Sequence, residues 1–226
     1  TVTLDGSIQN LDTAGLAFHN LTVNSGATLV DLSELDVNGT LTNNGTLQKS
    51  QDVNGSSDVS FFSMGGYGGV QINPYGSDLG STSVTIRGNQ DCTTVPGETI
   101  QRCFEISPTH ATGRNADITF WFDPGELSGN TCTSLEAYRW DGGSSWEQLT
   151  RDESWWSSGR RCAPADPPYA IRVKNVSDFS PFVLKESVPT VVRVQKLESR
   201  SPTIYGYAAL LGLALGAALV LRSRHK

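Results

Sequence analysis

Histidine is scarce in this chain: among 226 residues it occurs only at His19, His110 and His225. A Ser-His-Asp set would have to draw on one of the first two, and neither stands in a nucleophile-elbow context. His110 lies in a Ser-Pro-Thr-His-Ala-Thr-Gly stretch that reads as an exposed turn. No phosphate-loop motif is present, and no stretch outside the last 23 residues has the apolar spacing of an amphipathic helix. Close cysteine pairs are missing too. Cys92, Cys103, Cys132 and Cys162 are separated by 11, 29 and 30 positions, which does not supply the short spacings of zinc sites. A glycosidase could draw its two carboxylates from Asp117, Asp123, Glu126, Asp152 and Glu153, but any acidic surface offers such pairs. Asp123-Pro-Gly-Glu126 and Asp141-Gly-Gly offer turn oxygens at spacings unlike a calcium loop. The expectation is a protein without catalysis, bound metal or cofactor.

Positive charge is equally short. Three of the 17 Lys+Arg sit in the last five residues, which leaves 14 bases against 23 acids and a net charge of −9 for the rest. Nucleic acid is therefore not an expected partner, since binding it usually needs a basic patch. Charged residues are only 18% of the chain while glycine numbers 23. That profile fits extracellular β structure with many tight turns.

The feature that decides most is an uncharged run of 18 residues, Ile204–Leu221, followed by Arg-Ser-Arg-His-Lys. As a helix it spans roughly 27 Å, enough for a bilayer's hydrocarbon core. Tyr205 and Tyr207 at its entry suit the headgroup interface, and Arg222, Arg224 and Lys226 suit the cytoplasmic side. Gly212 and Gly216 form a GxxxG pair, with Ala208 one turn earlier, where two anchors could pack. The expected topology is single-pass, in the cell membrane, with the N-terminus outside. All four cysteines lie on the outer side, as an oxidising compartment requires. Cys92–Cys103 and Cys132–Cys162 are the favoured pairs because each closes a local excursion, although four cysteines allow three connectivities. The opening residues lack a basic n-region and an apolar h-region, so this stretch reads as the C-terminal part of a longer precursor.

Three zones precede the span. Residues 1–57 show self-similar strings, LTVNSGATL, LDVNGTL and TNNGTL, in which apolar residues alternate and Asn-Gly or Ser-Gly turns the chain. Residues 58–186 alternate as sandwich strands do: Ile118, Phe120 and Phe122 against Thr119 and Trp121, and Tyr169, Ile171 and Val173 against Ala170, Arg172 and Lys174. Leu135 to Trp140 and Trp146 to Thr150 flank an Asp-Gly-Gly-Ser-Ser hairpin signal. Residues 187–203 are a polar linker with Pro202 before the span, 204–221 the transmembrane helix and 222–226 the basic tail. Asn20, Asn38, Asn44, Asn54 and Asn175 begin Asn-X-Ser/Thr triplets, the first four at turns of the repeats. The fold class expected is an all-β ectodomain, a β-helix-like end plus an antiparallel β-sandwich, with one C-terminal transmembrane helix.

The strings of the first zone resemble the parallel β-helix of bacterial adhesins and filamentous surface proteins, over about 40 residues. The series ITFWFDPGEL, LEAYRWDGGSSWEQL and IRVKNVSDFSPFVL, over residues 84–226, resembles a β domain that precedes the membrane anchor in large bacterial surface proteins. There a Tyr-Trp-Asp hairpin precedes a Phe-Ser-Pro-Phe strand and the chain ends in a hydrophobic span and basic tail. The resemblance implies an architectural module and no catalytic residues. The function expected is thus a membrane-anchored bacterial surface protein with a structural or adhesive role. The alternatives are a carbohydrate-binding module, or the C-terminal fragment of a β-helix polysaccharide lyase or hydrolase. An extracellular glycan or cell-surface partner is the expected contact. Of five tryptophans, Trp140 and Trp146 read as a cross-strand pair and Trp121 as a strand residue. Trp155 and Trp156 are adjacent in a polar stretch, and in an extended strand they could not both enter one core. They are the candidate ligand-binding residues.

Overall fold

Alternating apolar residues between short turns build eight strands in the first 53 residues. They are β1 (Val2–Leu4), β2 (Ile8–Leu11), β3 (Ala17–Phe18), β4 (Leu21–Val23), β5 (Thr28–Asp31), β6 (Asp36–Val37), β7 (Leu41–Asn43) and β8 (Thr46–Val53). Within this group β1 pairs with β4, β4 with β7, β2 with β5, β5 with β8 and β3 with β6, always in parallel. The chain therefore winds as a three-sided coil. Val2, Leu21 and Leu41 stack in register, and so do Leu29 and Leu47. One turn runs from Leu21 to Leu41, and this is the true repeat. The strings LTVN and LDVN are two sides of a single turn, because β4 and β6 lie in different sheets. On the outermost turn β1, β2 and β3 each have a partner on one side only, and Ile8 and Leu16 are 69% and 73% exposed.

The computed structural model describes residues 1–13, 15–64, 66–90, 92, 99–163, 167–179 and 181–187. Beyond the coils come β9 (Val59–Phe61), β10 (Val70–Asn73), β11 (Gly80–Gly88), β12 (Thr99–Pro108), β13 (Ala116–Phe122), β14 (Leu135–Trp140), β15 (Trp146–Gln148), β16 (Arg160–Arg161), β17 (Tyr169–Val176) and β18 (Pro181–Glu186). Short 3₁₀ turns occupy Pro124–Leu127 and Cys132–Ser134, and the described residues contain no α-helix. The chain is all-β. Nor is any helix among the described residues long and apolar enough to cross a membrane. The expected span and tail, with Tyr205, Tyr207, Gly212, Gly216, Arg222, Arg224 and Lys226, lie outside the described residues, as does the linker from residue 188 on.

Two large sheets organise the unit. One runs β15-β14-β18-β12-β11-β8-β5-β2 and the other β16-β17-β13-β10-β9. The first crosses the boundary expected between residues 57 and 58. Its strand β8 pairs in parallel with β5 on one side and antiparallel with β11 on the other, so that Leu47 neighbours both Leu29 and Ile86. The coils and the antiparallel strands thus share one compact unit, Thr1–Val188. Between the large sheets the rings of Phe104, Phe120 and Phe182 meet at centroid distances of 5.0 and 5.4 Å. Period-2 alternation supplies this layer: Ile118, Phe120 and Phe122 of β13 and Ile171 and Val173 of β17 are all fully buried. At one corner the chain changes sheet. β15 pairs with β14, and a few residues on Thr150 accepts a hydrogen bond from Lys174 of β17.

Both expected disulfides are present. Cys92–Cys103 ties the β11–β12 connection back to the middle of β12, against Tyr138 and Val183. Cys132–Cys162 joins the 3₁₀ turn before β14 to the residue after β16, with Cα atoms 5.8 Å apart. It closes no hairpin. It staples the start of β14, the strand next to the edge of one large sheet, to the end of β16, the edge strand of the other.

Candidate functional site

The outer face of the five-stranded sheet is where the candidate tryptophans gather. Alternation sends Asp117, Thr119 and Trp121 of β13 to this face, with Ala170, Arg172 and Lys174 of β17 beside them. The stretch Arg151–Gly159 lies over it. Asp152 N–H donates to Arg172 O, and Arg172 N–H donates to Gly159 O, so β17's edge is paired at both ends of the stretch. Residues 153–158 are left to bulge outward. The bulge begins as a turn because Asp152 Oδ1 accepts from both the amide and the hydroxyl of Ser154, and Trp155 N–H donates to Asp152 O. It closes at Gly159, where φ is +72° and a side chain would collide with Arg151.

The extended strand expected around Trp155 and Trp156 is therefore a turn. Trp156 and Ser158 take left-handed backbone angles, φ 46° and 59°, which few non-glycine residues adopt. The two rings stay in tilted contact, 6.1 Å between centres, but meet different surroundings. Trp155 is half-buried and lies edge-on to Trp121 at 6.1 Å, whereas Trp156 is 60% exposed. Between Trp121 and Trp156 sits the Arg161 guanidinium, 5.5 Å and 5.2 Å from the two ring centres. Trp121 is held from below by Gly68, which has no side chain to push it away. Trp156 also forms one wall of a groove of about 480 Å³ with Thr133, Ser157, Ser158, Arg160 and Cys162. Arg160 is occupied there: Nε donates to Leu135 O at 2.8 Å and Nη2 to Glu136 at 2.6 Å.

A buried polar network supports the bulge. Arg172 pairs with Asp117 at 3.4 Å and with Asp152 at 3.3 Å. Tyr75 donates its hydroxyl to Asp117, and this bond pushes the phenol above its ordinary range. Burial acts to raise the Asp152 carboxyl, but the Ser154 hydrogen bonds and Arg172 outweigh it and hold the group below the usual range. The remaining carboxylates are spent on structure. Asp123 caps the 3₁₀ turn Pro124–Leu127, and Glu126 reaches back to the Asp123 amide. Glu126 also grips Arg102, whose side chain is fully buried. Glu153 lies on the surface beside Arg151. Asp141 takes three backbone N–H groups and the Ser145 hydroxyl at the hairpin tip, across which Trp140 faces Trp146 at 5.3 Å. His19 and His110 are exposed.

Arg102 and Arg172 were not singled out from the sequence. For Arg102 a signal existed: in Ile100-Gln-Arg-Cys-Phe104-Glu-Ile106 it occupies the alternating core-facing position. A charge there demands partners. It finds them in Glu126, in the carbonyls of Tyr67 and Trp121, and in the Tyr67 ring 3.8 Å away. Burial pushes the Tyr67 phenol up to about 12. Among the described residues no three metal-binding side chains converge. Of the Asn-X-Ser/Thr positions, Asn38, Asn54 and Asn175 are exposed, while Asn20 accepts from Thr40 N–H. Compared with protein-family models, curated proteins and solved structures, the chain has no significant match to any.

Proposed function

We propose that this chain is a membrane-anchored surface protein whose role is structural or adhesive. In this reading the parallel coils are the end of a β-helix, the antiparallel strands form a disulfide-bonded β-sandwich, and Ile204–Leu221 crosses the membrane once. The observation that supports it is the eight-stranded sheet. It runs from β2 at the edge of the coils to the antiparallel strands, and it holds β18, the last described strand before the uncharged run, between β12 and β14. A pull along β18 loads two hydrogen-bonded ladders at once, those with β12 and β14. An edge strand would unzip from one. The neighbouring strands then carry the load to the coils through a close-packed interior of low compressibility. This arrangement suits a tethered stalk.

The test is to express the chain with and without residues 204–226 and to fractionate the cells. Full-length material should sediment with membranes, the truncated form should not, and protease added to intact cells should digest the ectodomain. Equal solubility of the two forms would overturn the proposal.

A further inference from the structure

We infer that the groove beside Trp156 is a binding site for neutral pyranose units of a polysaccharide. The site lies within the described unit and does not depend on how the chain is anchored. Trp156 is 60% exposed, in a bulge where its neighbour Trp155 found a packed position. Its backbone is in the left-handed region at φ 46°. Such strain in a non-glycine residue persists only where the surroundings impose it, and it gathers at ligand sites. Here the surroundings are the pairing of Asp152 and Gly159 to Arg172 on either side. The ring is also flanked by the Arg161 guanidinium at 5.2 Å and by the tilted Trp155 ring at 6.1 Å, which support it while it stays exposed.

The chemistry around the ring selects the ligand. A pyranose has an apolar C–H face and a rim of hydroxyls. Trp156 offers the flat apolar face, and Thr133, Ser157 and Ser158 bring hydroxyls to the same groove. The groove, at about 480 Å³, falls inside the range of roughly 300–1,000 Å³ typical of small-ligand sites. Arg160 lines it but already serves Leu135 and Glu136, so it is not set to receive a carboxylate. The chain before the basic tail carries a net −9, from 14 bases against 23 acids, and repels polyanions at low salt. Neutral sugars fit both facts.

The experiment titrates the full-length chain, purified in a detergent without a sugar headgroup, with hexasaccharides of β-1,4-linked glucose, mannose and xylose, and with a uronate hexamer. Binding is read by calorimetry and by tryptophan fluorescence. At least one neutral hexasaccharide should bind saturably, and the uronate should not. Trp156→Ala should weaken binding by about 30-fold or more, the scale of an interface hot spot, with both disulfides and the near-UV spectrum retained. Trp156→Phe should recover most of the affinity. Thr133→Lys, an exposed position that puts a charged chain into the groove, should weaken binding as well and serves as the second variant. Three results would each sink the inference: no neutral hexasaccharide binds, the uronate binds preferentially, or Thr133→Lys and Trp156→Ala both bind as the wild type does.

Discussion

A guanidinium taken out of water has to regain its hydrogen bonds, and Arg102 does so from three directions. Glu126 receives Nε and Nη2, the carbonyls of Tyr67 and Trp121 receive Nη1, and the Tyr67 ring covers its face. Arg102→Met should therefore destabilise the protein by about 3–5 kcal/mol, the usual result of removing one partner of a buried pair. Guanidinium denaturation measures it, and a loss under about 1 kcal/mol would show that Glu126 is solvated without its partner. Asp141 behaves differently because it is fully exposed. Its carboxyl is lowered to about 2, first by the Ser145 hydroxyl and then by the backbone amides of the hairpin tip. A depressed carboxyl stabilises the fold above its unfolded value, here about 3.8, and that contribution disappears as pH falls through about 2. The circular-dichroism couplet of the Trp140–Trp146 pair should hold from neutral pH down to roughly pH 4 and fade toward pH 2. In Asp141→Asn the couplet should lose that acid transition.

At the scale of elements the two disulfides do different work. Cys92–Cys103 spans 11 positions within one sheet, whereas Cys132–Cys162 spans 30 and joins the ends of two. Chain-entropy reasoning puts them at about 3 and about 4 kcal/mol. The Cys132→Ser/Cys162→Ser protein should lose the larger amount and also show faster amide exchange over residues 153–163, since the bulge depends on the stapled corner. Faster exchange confined to the other end of the sheet would contradict that assignment. Peptide mapping without reductant checks the connectivity directly.

At the scale of the whole molecule, the unit Thr1–Val188 should unfold as one body. All five tryptophans lie between residues 121 and 156, outside the coils, which makes them reporters of whether the coils are coupled to the rest. Leu47 is fully buried in the coils and sits in β8, the strand shared with β11. Leu47→Ala should lower stability by about 2–5 kcal/mol and should do so in the tryptophan signal, with a single transition. An unchanged tryptophan midpoint would mean that the coils melt independently despite the continuous sheet.

Much of the secondary structure was legible because its signals are local. Alternation at i and i+2 marked Ile118, Phe120 and Phe122 as one face, and Asp141-Gly-Gly-Ser-Ser marked a turn; both depend on residues within a few positions of each other. Local spacing also favoured Cys92–Cys103. Which edges meet was not legible, because Leu47 and Ile86 are distant in sequence and nothing near either residue names the other. The sheet that runs across the boundary expected at residues 57 and 58 was hidden for that reason, and so was the length of the repeat, whose strings belong to different sides of one coil turn. Trp156 shows the division most clearly. Its sequence placed two tryptophans side by side and required that an extended strand separate them. Only the tertiary structure, by pairing Asp152 and Gly159 to the two sides of Arg172, turned the chain into a left-handed bulge that packs one ring and leaves the other in solvent.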